Sequence, residues 1–410
     1  MERLARDFSM DNKAATALIH HPYRPPEGFD APQPGIFKAS SVFFPNVAAM
    51  RSREWKDKSA YTYGLHGTPS SYTLEERLCT LEGGLQCVLA PSGLAALALV
   101  SLSMLCAGDE VLLPENVYEP NKSLAEGELK NWGITHRFYD PMDLSDLEAK
   151  LSDKTRLVWL EAAGSVTLEF PDLVGMVRLC QVRGVCTALD NTWGAGIAFA
   201  PFDLLPGEAT PLGVDISTQA LTKYPSGGGD VLMGSVVTRD PALHMRIKLT
   251  HMRLGLNVGA NDVELVLRAL PSIYLRYKAH DTSTRALAAW CQSQPEFAQV
   301  LHPALSGSPG HAHWRSLCST EAAACLFSVV VDARFSQTQV DAFVDALSLF
   351  RLAYSWAGPV SLVVPYNLAR SRGRWPAQLA QGTVVRFAVG LEDPQDLRSD
   401  IEQALARLRA

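Results

Sequence analysis

Residues 215–238 read DISTQALTKYPSGGGDVLMGSVVT. Two strand-like runs, DISTQAL and VLMGSVVT, flank a turn of Ser226, Gly227, Gly228 and Gly229, and one lysine, Lys223, stands just before it. Glycine-rich turns let a chain double back, so Ala220 to Gly234 is expected to form a hairpin-like reversal beside a sheet. An isolated lysine at such a place is by default a solvated turn residue, since lysines are mostly exposed. Whether Lys223 turns inward instead depends on what the rest of the chain brings to it.

Working outward, QCVLA, EVLLP, LVWLEA and VCTALD also read as strands, and most are continuously apolar rather than alternating. Strands buried on both faces look like this, so the region from about 70 to 260 is expected to be α/β with a mostly parallel central sheet. In TLEERLCTLEGG, Leu74, Leu78 and Leu81 recur at helical spacing. Thr73 with Glu76 resembles a capping box there, and Gly83-Gly84 makes a stop. Beyond about 265 a long helical segment, a strand LFSVVVDA, a helix around QVDAFVDALSLF, a strand TVVRFAVG and a terminal helix suggest a smaller α/β domain with its own sheet. The Pro-rich start (HHPYRPPEGFDAPQPG) suggests an extended arm, which needs another surface to lie on. The expected division is an N-terminal arm over 1–65, a large domain over 66–265 and a C-terminal domain over 266–410.

The 410 residues, 47% hydrophobic and 20% charged, are ordinary for a globular protein with a large core. A net charge of −6 without dense basic blocks points away from nucleic acid. No apolar run is long enough to span a bilayer, and the opening MERLARDFSMDNKAATALIHH is too polar for a signal peptide. The eight cysteines form no CxxC pair and are expected to be buried free thiols of a cytoplasmic protein. His311 and His313, in GHAHW, have no neighbouring Cys or carboxylate set to complete a metal site, so a surface loop is their expected setting.

Four features of the central region carry chemistry. In PSGLAALALV, Ser92-Gly93 follows a strand and opens a helix, whose first N–H groups suit an anion; an ordinary strand-to-helix turn looks the same. Asp190, in ALDNTW, ends a buried strand and is either a cap or a group held at the mouth of the sheet. Tyr118, in ENVYEP, is either packing or a flat face for a ring. Lys223 follows Thr222, whose hydroxyl could serve the same anion. A helix end for a phosphate, an acid for a pyridine nitrogen, an aromatic platform and an amine for a Schiff base together fit pyridoxal 5′-phosphate. A nucleotide site built on SGGGD fails, because the Lys-Ser/Thr ending of a P-loop is missing.

With these landmarks the sequence resembles the Cys/Met-metabolism family of fold-type I PLP-dependent enzymes. The matching stretches are YTYGLHGTPSSYTLEERLCTLEGG, PSGLAAL, NVYEP, LDNTWGAG, QALTKYPSGGGDVLMG, AYSWAG and VVRFAVGLED, in the family's order from about residue 35. The resemblance implies that Lys223 forms the Schiff base, Asp190 partners the ring nitrogen and Tyr118 stacks on the ring. It implies that Gly93, Leu94 and Thr222 bind the phosphate. Arg386, with Ser355 and Trp356, would receive the substrate, the guanidinium fork clasping the α-carboxylate. Tyr63 would cross to a neighbouring subunit's phosphate, which would give the arm its surface and imply a homotetramer built from dimers that share active sites.

Two positions depart from the family. Leu65 stands where an Arg two residues after the tyrosine commonly pairs with the phosphate, and His66 is the adjacent candidate replacement. Val360 stands where a Glu often follows the AYSWAG region, and with Trp356 this favours β- over γ-cleavage. The implied activity is α,β-elimination from L-cystathionine, giving homocysteine, pyruvate and ammonia, in methionine biosynthesis. The alternatives are γ-lyase, γ-synthase or general cysteine-S-conjugate lyase chemistry, and a non-catalytic regulatory protein on the same scaffold.

Overall fold

The computed structural model describes residues 28, 31–318, 322–368, 372 and 375–409. Much of the expected arm therefore lies outside the described residues. Ile36–Ala410 forms one contact unit, and the architecture below is that of this unit.

Its larger sheet has seven strands: β1 Gln86–Ala90, β2 Glu110–Pro114, β3 Thr135–Tyr139, β4 Thr155–Glu161, β5 Cys186–Asp190, β6 Ile216–Ala220 and β7 Gly234–Thr238. They lie in the order β1-β7-β6-β5-β4-β2-β3. The neighbours from β3 through β6 pair parallel, and β7 runs against its neighbours β1 and β6. The continuous apolar runs are explained by alternation between two cores. Cys87, Leu89, Val158 and Leu160 enter the cluster on one face, and Val88, Ala90, Leu157 and Trp159 enter the cluster on the other. Most side chains of these strands meet apolar neighbours, although β6 carries buried Ser217, Thr218 and Gln219 in its interior.

The expected reversal is present: Ala220 pairs with Gly234 and Ile216 with Thr238 in an antiparallel ladder. The helix expected from Thr73 begins earlier, at Pro69–Glu82. Thr68 is its N-cap, with Ser71 completing the box and Pro69 at its start, where a missing N–H costs nothing. Thr73 instead donates to Pro69 O inside the helix, and Glu76 pairs with Lys58. Gly83 does end the helix, at φ 75° in the left-handed region.

The smaller sheet comprises β8 Phe297–Leu301, β9 Leu326–Asp332, β10 Arg351–Leu352, β11 Leu362–Tyr366 and β12 Gly382–Ala388, in the order β10-β11-β12-β9-β8. All its pairings are antiparallel except β10 with β11. One face packs into an aromatic cluster in which Phe327 stacks on Phe387 at 5.0 Å and Phe350 meets Phe387 edge-on. The long helical segment is two helices, Ala260–Ala269 and Ile273–Cys291, joined by a 3₁₀ turn at Pro271.

Two smaller expectations need correction. All eight cysteines are free, but Cys106 is exposed and Cys186 only half-buried. His311 and His313 lie in a short helix, His311–Leu317, rather than a loop, and the His311 ring is bonded to Pro303 O at 2.8 Å. Among the described residues no helix is long and apolar enough to cross a membrane.

Candidate active site

The carboxyl ends of β4, β5 and β6, the turn after β1 and the face of the smaller sheet enclose a cavity of about 190 Å³. Lys223, Asp190, Tyr118, Gly93, Leu94, Thr222, Trp356 and Arg386 all line it. Ser355 joins them through the lysine, whose Nζ donates to Ser355 Oγ at 2.9 Å. Lys223 is thus not the solvated turn residue of the default reading.

Each side chain is placed by local rules. Ser92 caps the helix Gly93–Met104 by accepting from Ala95 N–H at 3.0 Å. A Cβ on Gly93 would lie 2.5 Å from Ala220 Cβ, so only glycine lets the helix start press against the end of β6. Lys223 N–H bonds Ala220 O and Gly227 N–H bonds Lys223 O, winding the chain into a tight turn directly after β6. Thr222 Oγ1 lies within hydrogen-bond reach of the Met233 backbone and ties the two limbs of the reversal.

Asp190 closes β5, and one of its oxygens accepts both the Thr192 hydroxyl at 2.6 Å and the Thr192 N–H at 3.0 Å. Burial raises its pKa, while those bonds and the Lys223 charge oppose the rise. Burial also pushes Lys223 down to about 8, with Arg386 adding to the effect and Cys325 and Asp190 opposing it. At neutral pH about one lysine in ten is then unprotonated, against about three in ten thousand for a free one. The Tyr118 phenol is raised by burial and by the charges of Asp190 and Glu161.

Arg386 projects from the middle of β12, opposite Ser328 and Val364. Its guanidinium lies 5.3 Å from the Tyr366 ring centre and reaches Ser355 O at 3.5 Å. Its buried Nε has no partner. A buried donor without an acceptor is costly, and an anionic ligand would complete it.

Within this chain Tyr63 does not line the cavity and is 47% exposed. Leu65 and His66 border a separate small cavity, and the His66 ring stacks on Trp55 at 4.1 Å and bonds Thr62 Oγ1. His66 therefore does not replace the absent arginine inside its own chain. Sequence reading missed Glu161, Thr192, Val166 and Leu232, which also line the cavity. Glu161 had a signal, an acid ending an apolar run, but its neighbour Asp190 follows only from strand order. Among the described residues no group of three or more His, Cys, Asp or Glu side chains is placed to hold a metal.

The donors and acceptors present fit pyridoxal phosphate: a helix start with free N–H groups, an acid at the end of β5, and an amine of lowered pKa in one cavity. Comparison with known proteins agrees. Residues 15–406 match the family described as Cys/Met metabolism PLP-dependent enzymes. The chain belongs to that family. It is a pyridoxal-phosphate enzyme of the lyase type acting in amino-acid metabolism.

Over 405 residues, 96% of this chain and 98% of the other, it is 35% identical to a cystathionine beta-lyase of Bordetella avium. It is also 33% identical to an L-alanine/L-glutamate racemase of Wolbachia pipientis wMel, over 85% and 83% of the two chains. The crystal structure of cystathionine gamma synthase from Xanthomonas oryzae pv. oryzae in complex with cystathionine superposes with a TM-score of 0.81. That pair is 27% identical and covers 92% and 93% of the two chains.

Proposed function

We propose that this protein is a carbon–sulfur β-lyase that converts L-cystathionine and water to homocysteine, pyruvate and ammonia. The reading is carried by one observation: Lys223, Asp190, Tyr118 and Arg386 converge on a single cavity, with Lys223 weakly basic. Pyridoxal phosphate, when bound, supplies an electrophilic carbonyl for the substrate amine and a sink for negative charge at Cα.

The chain's own residues do the rest. Arg386 holds the α-carboxylate, satisfying its free Nε. Lys223, oriented by Ser355, takes the Cα proton and returns a proton to the departing sulfur, a role that suits an amine titrating near neutrality. Asp190 would pair with the ring nitrogen and hold its proton. Tyr118 offers its ring as a stacking face, Trp356 borders the substrate space, and Gly93, Leu94 and Thr222 bound the phosphate end.

The working units are the arm 1–65, the cofactor domain 66–265 and the C-terminal domain 266–410. Tyr63 serves the active site of a second copy, within a cytoplasmic homotetramer of dimers. Mixing Tyr63→Phe with Lys223→Ala chains tests this, because a mixed dimer regains one complete site only if Tyr63 acts across the interface.

Cleavage at the γ-carbon is the second reading, favoured by the likeness to the gamma synthase structure. A product assay on cystathionine decides: pyruvate supports β-cleavage and 2-oxobutyrate overturns it. Following loss of L-alanine handedness in the same preparation tests racemisation, which the Wolbachia relative raises.

A further inference from the structure

Glu161 is the last residue of β4, lines the cavity and is 7% exposed. In the parallel ladder it stands opposite Asp190, the last residue of β5. Its Oε2 accepts the Tyr118 N–H at 2.8 Å. Tyr118 is the N-cap of helix Glu119–Leu124 and has no side-chain cap of its own, so this carboxyl takes up a helix-start N–H that would otherwise be unpaired. Ser165 lies close enough to Glu161 to favour its ionised form, and the Ser165 N–H reaches Asn116 O at 2.9 Å. One side chain therefore links the loop bearing Tyr118, the loop bearing Ser165 and the strand end beside Asp190.

We propose that Glu161 is a positioning residue, tying the Tyr118 and Ser165 loops to the edge of the sheet and so holding the Tyr118 ring in place over the bound cofactor. The inference rests on the role given to Tyr118 above but not on which thioether is cleaved.

Two carboxylates on adjacent buried strand ends repel, so one of them keeps a proton. Thr192 supports the charge on Asp190 with two hydrogen bonds. Glu161 is pushed up to about 8 by burial first and by the Asp190 charge second, with Ser165 and the Tyr118 N–H opposing. The other titratable groups around it are the Tyr118 phenol, Tyr139 on β3, and Lys223 and Arg386, which line the same cavity. Near pH 7 Glu161 is thus the neutral acid of the pair, and a glutamine has the same shape, one acceptor and one donor. As pH rises through about 8, a second negative charge appears beside Asp190, while the Tyr118 N–H and Ser165 favour the ionised Glu161.

The test uses the full chain loaded with pyridoxal phosphate, as wild type, Glu161→Gln and Glu161→Ala. Amide exchange of the peptide spanning 115–124, the cofactor dissociation constant and the visible spectrum from about pH 6.5 to about pH 9 are measured. Glu161→Gln is expected to match wild-type protection within about twofold and to lose a spectral transition near pH 8. Glu161→Ala should exchange about tenfold faster over this peptide and bind cofactor about tenfold more weakly or worse. Glutamine behaving like alanine, or alanine like wild type, overturns the proposal. Should the alanine variant not fold, markedly faster exchange over 115–124 in Glu161→Gln than in wild type overturns it alone. If this pattern holds but no variant releases pyruvate, it is the substrate assignment that fails.

Discussion

The two sheets supply the cavity in different ways. In the large sheet, strands running the same way end together, so Glu161, Asp190 and Ala220 are the final residues of β4, β5 and β6 and meet without special arrangement. In the small, mainly antiparallel sheet, strand ends do not gather. Its one charged contribution, Arg386, projects from within β12 between Val385 and Phe387, both fully buried in the aromatic cluster. Chemistry at strand ends can be altered with the ladder left intact, whereas chemistry inside a ladder is bound up with packing.

The sharpest way to break this contrast is Lys223→Ala. The lysine lies on a turn after β6, so secondary structure by circular dichroism should be unchanged while turnover falls by at least ~10⁴-fold. Retention of even a tenth of the activity would mean the large sheet's edge is not where the proton moves.

The next effect is on stability. Arg372, from the segment between β11 and β12, pairs with Glu169, and their side chains are 5% and 0% exposed. Asn116 and Thr167 also donate to Glu169, at 2.9 and 2.8 Å, as does Gln378. Burial would raise the Glu169 pKa, but the Arg372 contacts prevail and hold it below the ordinary value. A lowered carboxyl pKa stabilises the fold above the unfolded value and loses that contribution as pH falls through the folded one. Arg372→Ala strands a buried carboxylate and should cost about 3–5 kcal/mol in urea denaturation. Adding Glu169→Gln should return much of it. If the double variant is no more stable than the single one, the loss does not come from a stranded Glu169 carboxylate.

Arg386→Lys asks whether a ladder residue can be exchanged conservatively. Lysine keeps the charge but loses the planar fork, so KM should rise by about 10–100-fold while the melting temperature changes little. A large fall in melting temperature with unchanged KM would make Arg386 a packing residue instead.

The same contrast explains what could be read from sequence. The reversal around Lys223 and the acid at Asp190 were legible because apolar runs and glycines mark strands and turns locally. β3 was not, since THRFY is a half-exposed edge strand with polar residues, and β11 carries Pro365 within LVVPY. The approach of Glu161 to Asp190 needs β4 beside β5, a fact of strand order that periodicity does not carry. Arg386 was found through resemblance, because a lone arginine within TVVRFAVG has no local signal of function.

The smallest expected effect probes how far the large sheet's polar character extends beyond the cavity. Glu82 is the last residue of helix Pro69–Glu82, is 1% exposed, and accepts from Gln219 on β6 through one oxygen while the other has no partner. Burial pushes its pKa to about 8, with Ser217 opposing and Asp190 adding to the rise. The folded value lies above the unfolded one, so the native state binds more protons between about 4.5 and 8, and stability falls as pH rises through that window. Glutamine keeps the shape and cannot ionise. Glu82→Gln should therefore raise the melting temperature by about 2 °C or more at pH 8, and much less at about pH 5. An equal shift at both pH values would show that Glu82 is already ionised in the fold, and that the interior behind Asp190 tolerates a charge that the small sheet's aromatic core would not.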